Sequence, residues 1–371
     1  MLHPAPRCGY GYVVRTTGIS IAIERRSVLR GLGLGALAFG IPGLAACDDR
    51  SALNFANWES YIGETTLDDF KEASGIDVSL SVIPGENALF DQIRSGAQVP
   101  DVLVASNRMV ERLVAAHLLA PLSHARLPNL RNLDPRFAQP SYDPGNRHAA
   151  PYTWLAYGIG YRKSKVARPP TSWHDLFSSP AYAGRIALPA DPADLYRITA
   201  RTLGKGPNAI TPADLPRLTA LLKTQLPRIK RFYLKDGPDL LLDKTADLVA
   251  AFNGDLAQVL LEDPDLGFVL PSEGSELTCD SLCVPARSRN AEGAHQFIDY
   301  LLSSQAGMRV LETIVFPTPN RAAKALMPPD YQTSAVLFPP EQAMAKCDFA
   351  RWAPQLDLAI KAEWETIYQS R

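Results

Sequence analysis

The pattern that predicts the fold begins with LNFANW at residues 53–58, a run typical of a β-strand. Apolar residues then recur with helical spacing at 66–71, and IDVSLSV at 76–82 alternates with the period of a strand. A second helix is predicted at 87–95, and DVLVA at 101–105 has the continuous apolar character of a buried parallel strand. Because strand and helix alternate, the sequence predicts an α/β fold.

The alternation continues through the rest of the chain. The further predicted elements are strands at 185–188, 248–252 and 282–284 and helices at 193–203, 212–225 and 291–302. The chain has 371 residues, and about 325 remain after the leader described next. That length exceeds what one hydrophobic core usually holds, so we expect two lobes.

Residues 1–46 have the features of an export signal. Arg25 and Arg26 resemble a twin-arginine motif, and they precede an uncharged run at 31–46 that is too short and too rich in glycine to span a membrane. The run ends in LAAC at 44–47, which resembles a bacterial lipobox. We therefore expect a periplasmic protein anchored to the inner membrane by lipid on Cys47. An ordinary signal with an accidental cysteine would export the chain without the anchor.

The charge balance argues against a polyanionic partner. Residues 1–46 carry five of the 38 Lys and Arg side chains and one of the 39 Asp and Glu side chains, which leaves 33 basic and 38 acidic side chains. The remaining chain has no run of Lys and Arg and no paired CxxC motifs. We therefore expect no nucleic-acid partner, and the mild acidity suits a cationic solute.

Three cysteines remain once Cys8 and Cys47 are assigned to the leader. An odd number cannot all pair, and if Cys279 and Cys283 lie on one strand their side chains are about 13 Å apart, too far for a disulfide. We expect three buried thiols, or one bridge to Cys347. No histidine is close in sequence, so a metal site is not expected there.

Catalytic motifs are absent from the sequence. It contains no G-x-S-x-G, no H-E-x-x-H and no glycine-rich phosphate loop, and its six histidines are scattered. We expect neither a cofactor nor enzymatic activity. An exported enzyme stays as an alternative only because twin-arginine export often serves proteins loaded with a cofactor.

Five segments in a fixed order carry a resemblance to a known family. They are NWESY at 57–61, PYTW at 151–154 with GIG at 158–160, TSWHDL at 171–176, DSL at 280–282 with VPA at 284–286, and ETI at 312–314 with FPTPN at 316–320. In order and spacing they are similar to the spermidine/putrescine-binding periplasmic proteins, over essentially the whole chain after the leader. The resemblance implies a type II periplasmic binding protein, an α/β protein of two lobes with the ligand cleft between them.

The resemblance also implies how the lobes are divided and what they serve. Residues 47–158 and 280–325 would form lobe 1, and residues 159–279 and 326–371 would form lobe 2. The expected function is that of an extracytoplasmic solute-binding protein of an ABC importer. A monomer is expected to bind a polyamine and to present it to a permease in the inner membrane.

A polyamine cleft needs aromatic faces along the methylenes and carboxylates near the ammonium groups, because an unpaired buried charge is costly. By resemblance, aromatic residues line the cleft, Asp280 holds a ligand amine, and an acidic pair lies on the other lobe. The predicted ligand contacts are Trp58, Tyr61, Ser106, Arg108, Asp191, Asp194, Phe252, Asp255, Asp280 and Phe316.

Several of these residues also have a plain structural interpretation. The aromatic residues could be core residues, and Asp255 could be a turn residue. The sequence DPAD at 191–194 could equally be a helix N-terminus, with Asp191 as the cap and a proline at the first helical position. The sequence leaves these interpretations open.

Two positions depart from the family pattern and support other cargoes. Arg108 stands where the family has an aromatic residue, and Thr278 stands where it has a tryptophan. If Arg108 faces the cleft, it would favour an amino acid or another solute with a carboxylate; if it faces outward, it is a surface arginine. A ferric-ion site is a distant alternative, for which Tyr152, Tyr157 and Tyr161 are available.

Overall fold

The computed structural model describes residues 52–368. The predicted signal segment and Cys47 lie outside the described residues. Within 52–368, none of the helices combines the length and the apolar character needed to cross a bilayer.

The described chain alternates strands and helices. The strands are β1 (Ala52–Asn57), β2 (Asp77–Val82), β3 (Val102–Ser106), β4 (Ala149–Arg162), β5 (Ile186–Pro189), β6 (Ile229–Tyr233), β7 (Leu248–Phe252), β8 (Leu266–Val269), β9 (Glu276–Cys283) and β10 (Asp348–Phe349). The helices are α1 (Thr66–Ser74), α2 (Glu86–Ser95), α3 (Asn107–Ala115), α4 (Pro135–Ala138), α5 (His174–Phe177), α6 (Pro192–Arg201), α7 (Leu215–Gln225), α8 (Asp239–Leu242), α9 (Asn253–Leu260), α10 (Ala291–Leu302), α11 (Ser304–Ile314), α12 (Arg321–Lys324), α13 (Pro329–Gln332), α14 (Glu341–Met344) and α15 (Pro354–Tyr368).

The strands follow the order β2-β1-β3-β9-β4-β7-β5-β6, with β10 beside β9 and β8 beside β4. At one end, β1 pairs in parallel with β2 and β3, and β9 runs antiparallel to β3. At the other end, β5 pairs in parallel with β6 and β7. Two parallel groups joined through antiparallel central strands confirm the predicted α/β fold.

Strand β4 carries the chain from one half to the other. Its residues 149–156 pair with β9, whereas residues 157–161 pair with β7, and all 14 residues of the strand are buried. A Cβ atom on Gly158 or Gly160 would lie 2.1 Å from the ring of Phe268 or 2.4 Å from Leu256. The GIG motif therefore lets β8 and α9 pack directly onto the shared strand.

Each half has its own hydrophobic core. The first lobe, as we use the term, is built around β1 to β3 and buries Phe55, Val104 and Phe297. The second lobe is built around β5 to β7 and buries Tyr196 of α6 and Ile360 of α15. The helices of each lobe cover the faces of its strands, as parallel sheets require.

The C-terminal segment packs first against residues of the first lobe and then against the second core. Tyr331 packs with Leu311 of α11, and Phe349 belongs to the first core. Only α15 joins the second core. The predicted boundaries, with residues 326–371 in the second lobe, stay a prediction, and this packing favours a return after about residue 350.

Cys279, Cys283 and Cys347 are free and buried. The prediction of three buried thiols is therefore confirmed, and the alternative bridge to Cys347 does not form. Burial raises the pKa of Cys279 to about 12, so this thiol stays protonated and unreactive.

Candidate functional site

A cavity of about 510 Å³ lies between the lobes, at the carboxyl ends of both groups of parallel strands. Residues at or just after the ends of β1, β2, β3, β5, β6 and β7 line it: Trp58, Val82, Ser106, Pro189, Tyr233 and Phe252. Ligands of α/β proteins bind at this end of the strands because the loops there are free to carry side chains of varied chemistry.

All ten predicted ligand contacts line this one cavity. They are Trp58, Tyr61, Ser106, Arg108, Asp191, Asp194, Phe252, Asp255, Asp280 and Phe316. Residues from 58 to 316 thus converge on one site, and their contact with a ligand stays a prediction. Thr278, at the position of the missing tryptophan, also lines the cavity, and its hydroxyl donates to Asn107 Oδ1 at 3.0 Å.

Asp280 lies on β9, in the central part of the sheet, and lines the cavity. The strand register sets it beside Ser106 on β3 and Thr153 on β4. The Tyr61 hydroxyl donates to Asp280 Oδ2 at 2.9 Å and also hydrogen-bonds with the hydroxyl of Thr153. Burial raises the pKa of Asp280 to about 7, the hydrogen bond from Tyr61 opposes this rise, and the charge of Glu86 adds to it.

Asp255 lines the same cavity from the first turn of α9. Within residues 52–368 its carboxylate accepts no hydrogen bond from a protein donor. Burial raises its pKa to about 7, and the like charges of Asp239 and Asp280 add to the rise. Asp255 and Asp280 therefore form a pair of carboxylates that a cation would stabilise, and we call them the open end of the cleft.

Asp194 is held differently. The Arg108 Nη2 atom lies 3.2 Å from Asp194 Oδ1, and the Tyr157 hydroxyl donates to Asp194 Oδ2 at 2.9 Å. Burial lowers the pKa of Arg108, but the carboxylates of Asp194 and Glu276 outweigh burial, so the net shift is upward. Arg108 thus faces the cleft and carries a charge that already has a partner.

Asp191 and Ser106 both cap helices. Asp191 Oδ1 accepts from the backbone N–H of Asp194 at 2.9 Å, and Ser106 Oγ accepts from Met109 N at 3.3 Å. The helix-cap interpretation of Asp191 is therefore correct, although the residue also lines the cavity. Burial raises the pKa of Asp191, and the nearby charge of Asp194 acts in the same direction. We call Asp191, Asp194 and Arg108 together the paired end of the cleft.

Aromatic rings form much of the wall of the cavity. Tyr157 and Phe252 are direct cross-strand partners with ring centroids 3.9 Å apart, and Tyr61 meets Phe316 edge to face at 5.6 Å. Trp58, Tyr61 and Phe316 are each at least 93% buried, so they serve the core as well as the cavity. These residues therefore belong to the core and also line the cavity, and their contact with a ligand stays a prediction.

Six lining residues with polar side chains were not among the predicted contacts: Glu59, Glu86, Tyr157, Tyr233, Lys235 and Thr278. Glu86 begins α2, and Tyr233 ends β6, so the rule that cleft residues follow strand ends would have found the tyrosine. Nothing in the sequence marks Glu86, because it becomes part of the site only when α2 packs beside α3.

The tyrosines suggested for a ferric ion do not converge. Tyr152 donates to the backbone oxygen of Tyr61 at 3.0 Å, Tyr157 donates to Asp194, and Tyr161 lies in the second core. In the described part of the chain, His, Cys, Asp and Glu residues form no group of three or more that could hold a metal ion.

The fold is that of a two-lobed periplasmic-type binding protein, because two α/β lobes joined through β4 flank a cavity of ligand size. Comparisons agree with this class. A model of the bacterial extracellular solute-binding protein family matches residues 65–339. The chain therefore belongs to the family of bacterial extracellular solute-binding proteins, which places it outside the cytoplasm and sets aside the exported-enzyme alternative.

The names of several similar proteins refer to polyamines. The spermidine/putrescine-binding periplasmic protein of Escherichia coli K12 is 30% identical over 342 residues, which cover 91% of this chain and 96% of that protein. The putrescine-binding periplasmic protein PotF of the same organism is 28% identical, with 91% and 97% covered. The solved structure of the spermidine/putrescine ABC transporter substrate-binding protein PotD from Streptococcus pneumoniae is 25% identical, with a TM-score of 0.80, and the match covers 86% of this chain and 99% of that one.

Proposed function

We propose that this protein captures a polyamine of the putrescine or spermidine kind in the interlobe cavity and delivers it to the permease of an ABC importer. The observation that carries the proposal is the charge of the cavity. Six carboxylates line it against two cationic side chains: Glu59, Glu86, Asp191, Asp194, Asp255 and Asp280 against Arg108 and Lys235. A site of this composition attracts cations and repels anions.

The open end supplies the specific contact. The charge of Asp280 helps to raise the pKa of Asp255, and an ammonium group beside these carboxylates would offset that repulsion and use the lone pairs that no protein donor satisfies. The aromatic walls would then cover the methylenes of the ligand and exclude water. The names of the relatives point to the same class of cargo.

The competing amino-acid cargo has less support. It requires Arg108 to receive a carboxylate from the ligand, but the guanidinium is already paired with Asp194. A ligand carboxylate would also lie among an excess of acidic side chains. We therefore prefer a cargo that carries only positive charge.

Transport would follow from hinge closure. The ligand docks on one lobe, the second lobe closes over it, and a membrane permease recognises the closed form. We further propose that the chain leaves the cytoplasm by the twin-arginine signal and is held at the inner membrane by lipid on Cys47, acting as a monomer. The support for this anchor is the LAAC sequence at 44–47.

A ligand panel tests the cargo. The purified protein is heated with putrescine, cadaverine, spermidine, spermine, agmatine, common amino acids or ferric citrate, and unfolding is followed by fluorescence. A ligand at about a hundred times its dissociation constant adds about 2.7 kcal/mol of stability. We expect stabilisation by polyamines alone, and stabilisation by amino acids without any response to polyamines would refute the proposal.

A matched pair of variants assigns the response to the cavity. Asp280→Asn removes a carboxylate that lines the cavity, whereas Asp330→Asn removes an exposed carboxylate of α13 that does not line it. Stabilisation by polyamine should vanish in the first variant and persist in the second. An equal response in both would mean that polyamine binds elsewhere.

A further inference from the structure

Arg108 crosses the cleft. It belongs to α3, whose neighbouring residues Met109 and Val110 are buried in the first core. Its partner Asp194 belongs to α6, whose Leu195 and Tyr196 are buried in the second core. The ion pair between them, 3.2 Å from Nη2 to Oδ1, therefore joins the two lobes through the cavity itself.

This pairing leaves Asp194 with little capacity for a ligand. One carboxylate oxygen faces Arg108, and the other accepts from the Tyr157 hydroxyl at 2.9 Å. The side chains of Arg108 and Asp194 are 28% and 12% exposed, so water screens the pair only in part. Arg108 thus occupies the place at Asp194 that an ammonium group of a ligand would take.

We propose that Arg108 is a specificity-determining residue, a built-in cation that fills the paired end of the cleft and restricts the cargo to short diamines. This inference rests on the proposed polyamine function and names the cargo within that class. A diamine at the open end, beside Asp255 and Asp280, leaves the Arg108–Asp194 pair intact. A longer triamine such as spermidine would extend its additional charge toward the guanidinium.

The longer ligand has two unfavourable choices. It can leave the ion pair intact and hold an ammonium group near a like charge, or it can displace Arg108 from a partly buried carboxylate. Displacement would separate Arg108 from its carboxylate partner in a cavity where water screens the charges only in part. A ligand that stays at the open end meets neither of these unfavourable interactions.

The test compares dissociation constants of putrescine and spermidine, measured by titration calorimetry, in the wild type, Arg108→Ala and Arg108→Lys. We expect the wild type to prefer putrescine. Arg108→Ala should shift the ratio of the two constants toward spermidine by about tenfold or more. Arg108→Lys keeps the positive charge and should keep the wild-type preference. A ratio that changes less than about twofold in Arg108→Ala would overturn the inference.

A second variant keeps the test valid if Arg108→Ala fails to fold. Asp194→Asn frees the guanidinium inside the cavity, so spermidine should lose more affinity than putrescine, and an equal loss would overturn the inference. Binding of both polyamines with an unchanged ratio refutes only the role of Arg108. Failure of every polyamine to bind any of these proteins refutes the proposed function, and the inference with it.

Discussion

The open end and the paired end of the cleft present the same chemical group in different surroundings. At the open end, Asp255 accepts no hydrogen bond from the described protein groups, and Asp280 receives one from Tyr61. At the paired end, Asp194 receives a guanidinium and a phenol hydroxyl. A carboxylate that the fold already satisfies has a structural role, whereas one that the fold leaves unsatisfied is available to a ligand. We therefore predict that pairing, more than position in the cavity, separates the residues that bind the ligand from those that only line the cavity.

The most direct test of this difference replaces one carboxylate at each end. Asp280→Asn should weaken putrescine binding by about 100-fold or more, because a buried ammonium group would lose its ionic partner. Asp194→Asn should weaken it by less than about threefold. Calorimetric titration of both variants checks the prediction. Similar losses in the two variants would show that both ends hold the ligand.

Binding at the open end should depend on pH. The pKa of Asp255 and that of Asp280 are each about 7 in the unliganded protein, and a cation requires both carboxylates ionised. Affinity should therefore fall as pH decreases through 7, by about a hundredfold between pH 8 and pH 6, while polyamine amines stay protonated.

Titrations at pH 6, 7 and 8 in buffers of different ionisation enthalpy would detect the accompanying release of protons. The dependence should persist in Asp194→Asn and weaken in Asp280→Asn. An affinity that is constant over this range in the wild type would contradict the assignment of the open end.

The raised pKa of Asp255 also predicts an effect on the stability of the unliganded protein, smaller than the effects on binding. A carboxyl group whose folded pKa exceeds its unfolded value favours folding when protonated, and this contribution is lost as pH rises through 7. Asp255→Asn should therefore raise the free energy of unfolding of the unliganded protein by about 1 kcal/mol at pH 8. The gain should disappear below about pH 4. Denaturant unfolding at both values checks this, and a destabilised variant at pH 8 would show that Asp255 has a favourable partner.

The elements that the sequence predicts are those with a clear apolar period. Strands β1, β2, β3, β5 and β7 and helices α1, α2 and α10 lie within a few residues of their predicted bounds. Strand β4 is buried on both faces and contains two glycines, so it has no alternation to detect. Strand β9 is predicted only at its C-terminal end, because Thr278, Asp280 and Ser281 give its centre a polar composition.

The members of the site were more predictable than their pairing. All ten predicted residues line the cavity, because strand ends and the family resemblance both point to them. The partner of Arg108 could not be predicted, since Asp194 lies 86 residues away on the other lobe and meets it only when the lobes face each other. The sequence likewise could not decide whether Asp191 caps a helix or lines the cleft, and the structure shows that it does both.

The composition of the first core has a consequence for the timing of biosynthesis. That core combines residues 53–156 with residues from 270 to Phe349, so the segment that builds most of the second lobe is translated between its two parts. A nascent chain must therefore keep half of an apolar core uncovered until nearly all of it has left the ribosome. We expect such a chain to need chaperones while its apolar surface is exposed. Truncation shortly before Phe349 should leave the core of the first lobe incomplete, although the N-terminal strands of that lobe are present.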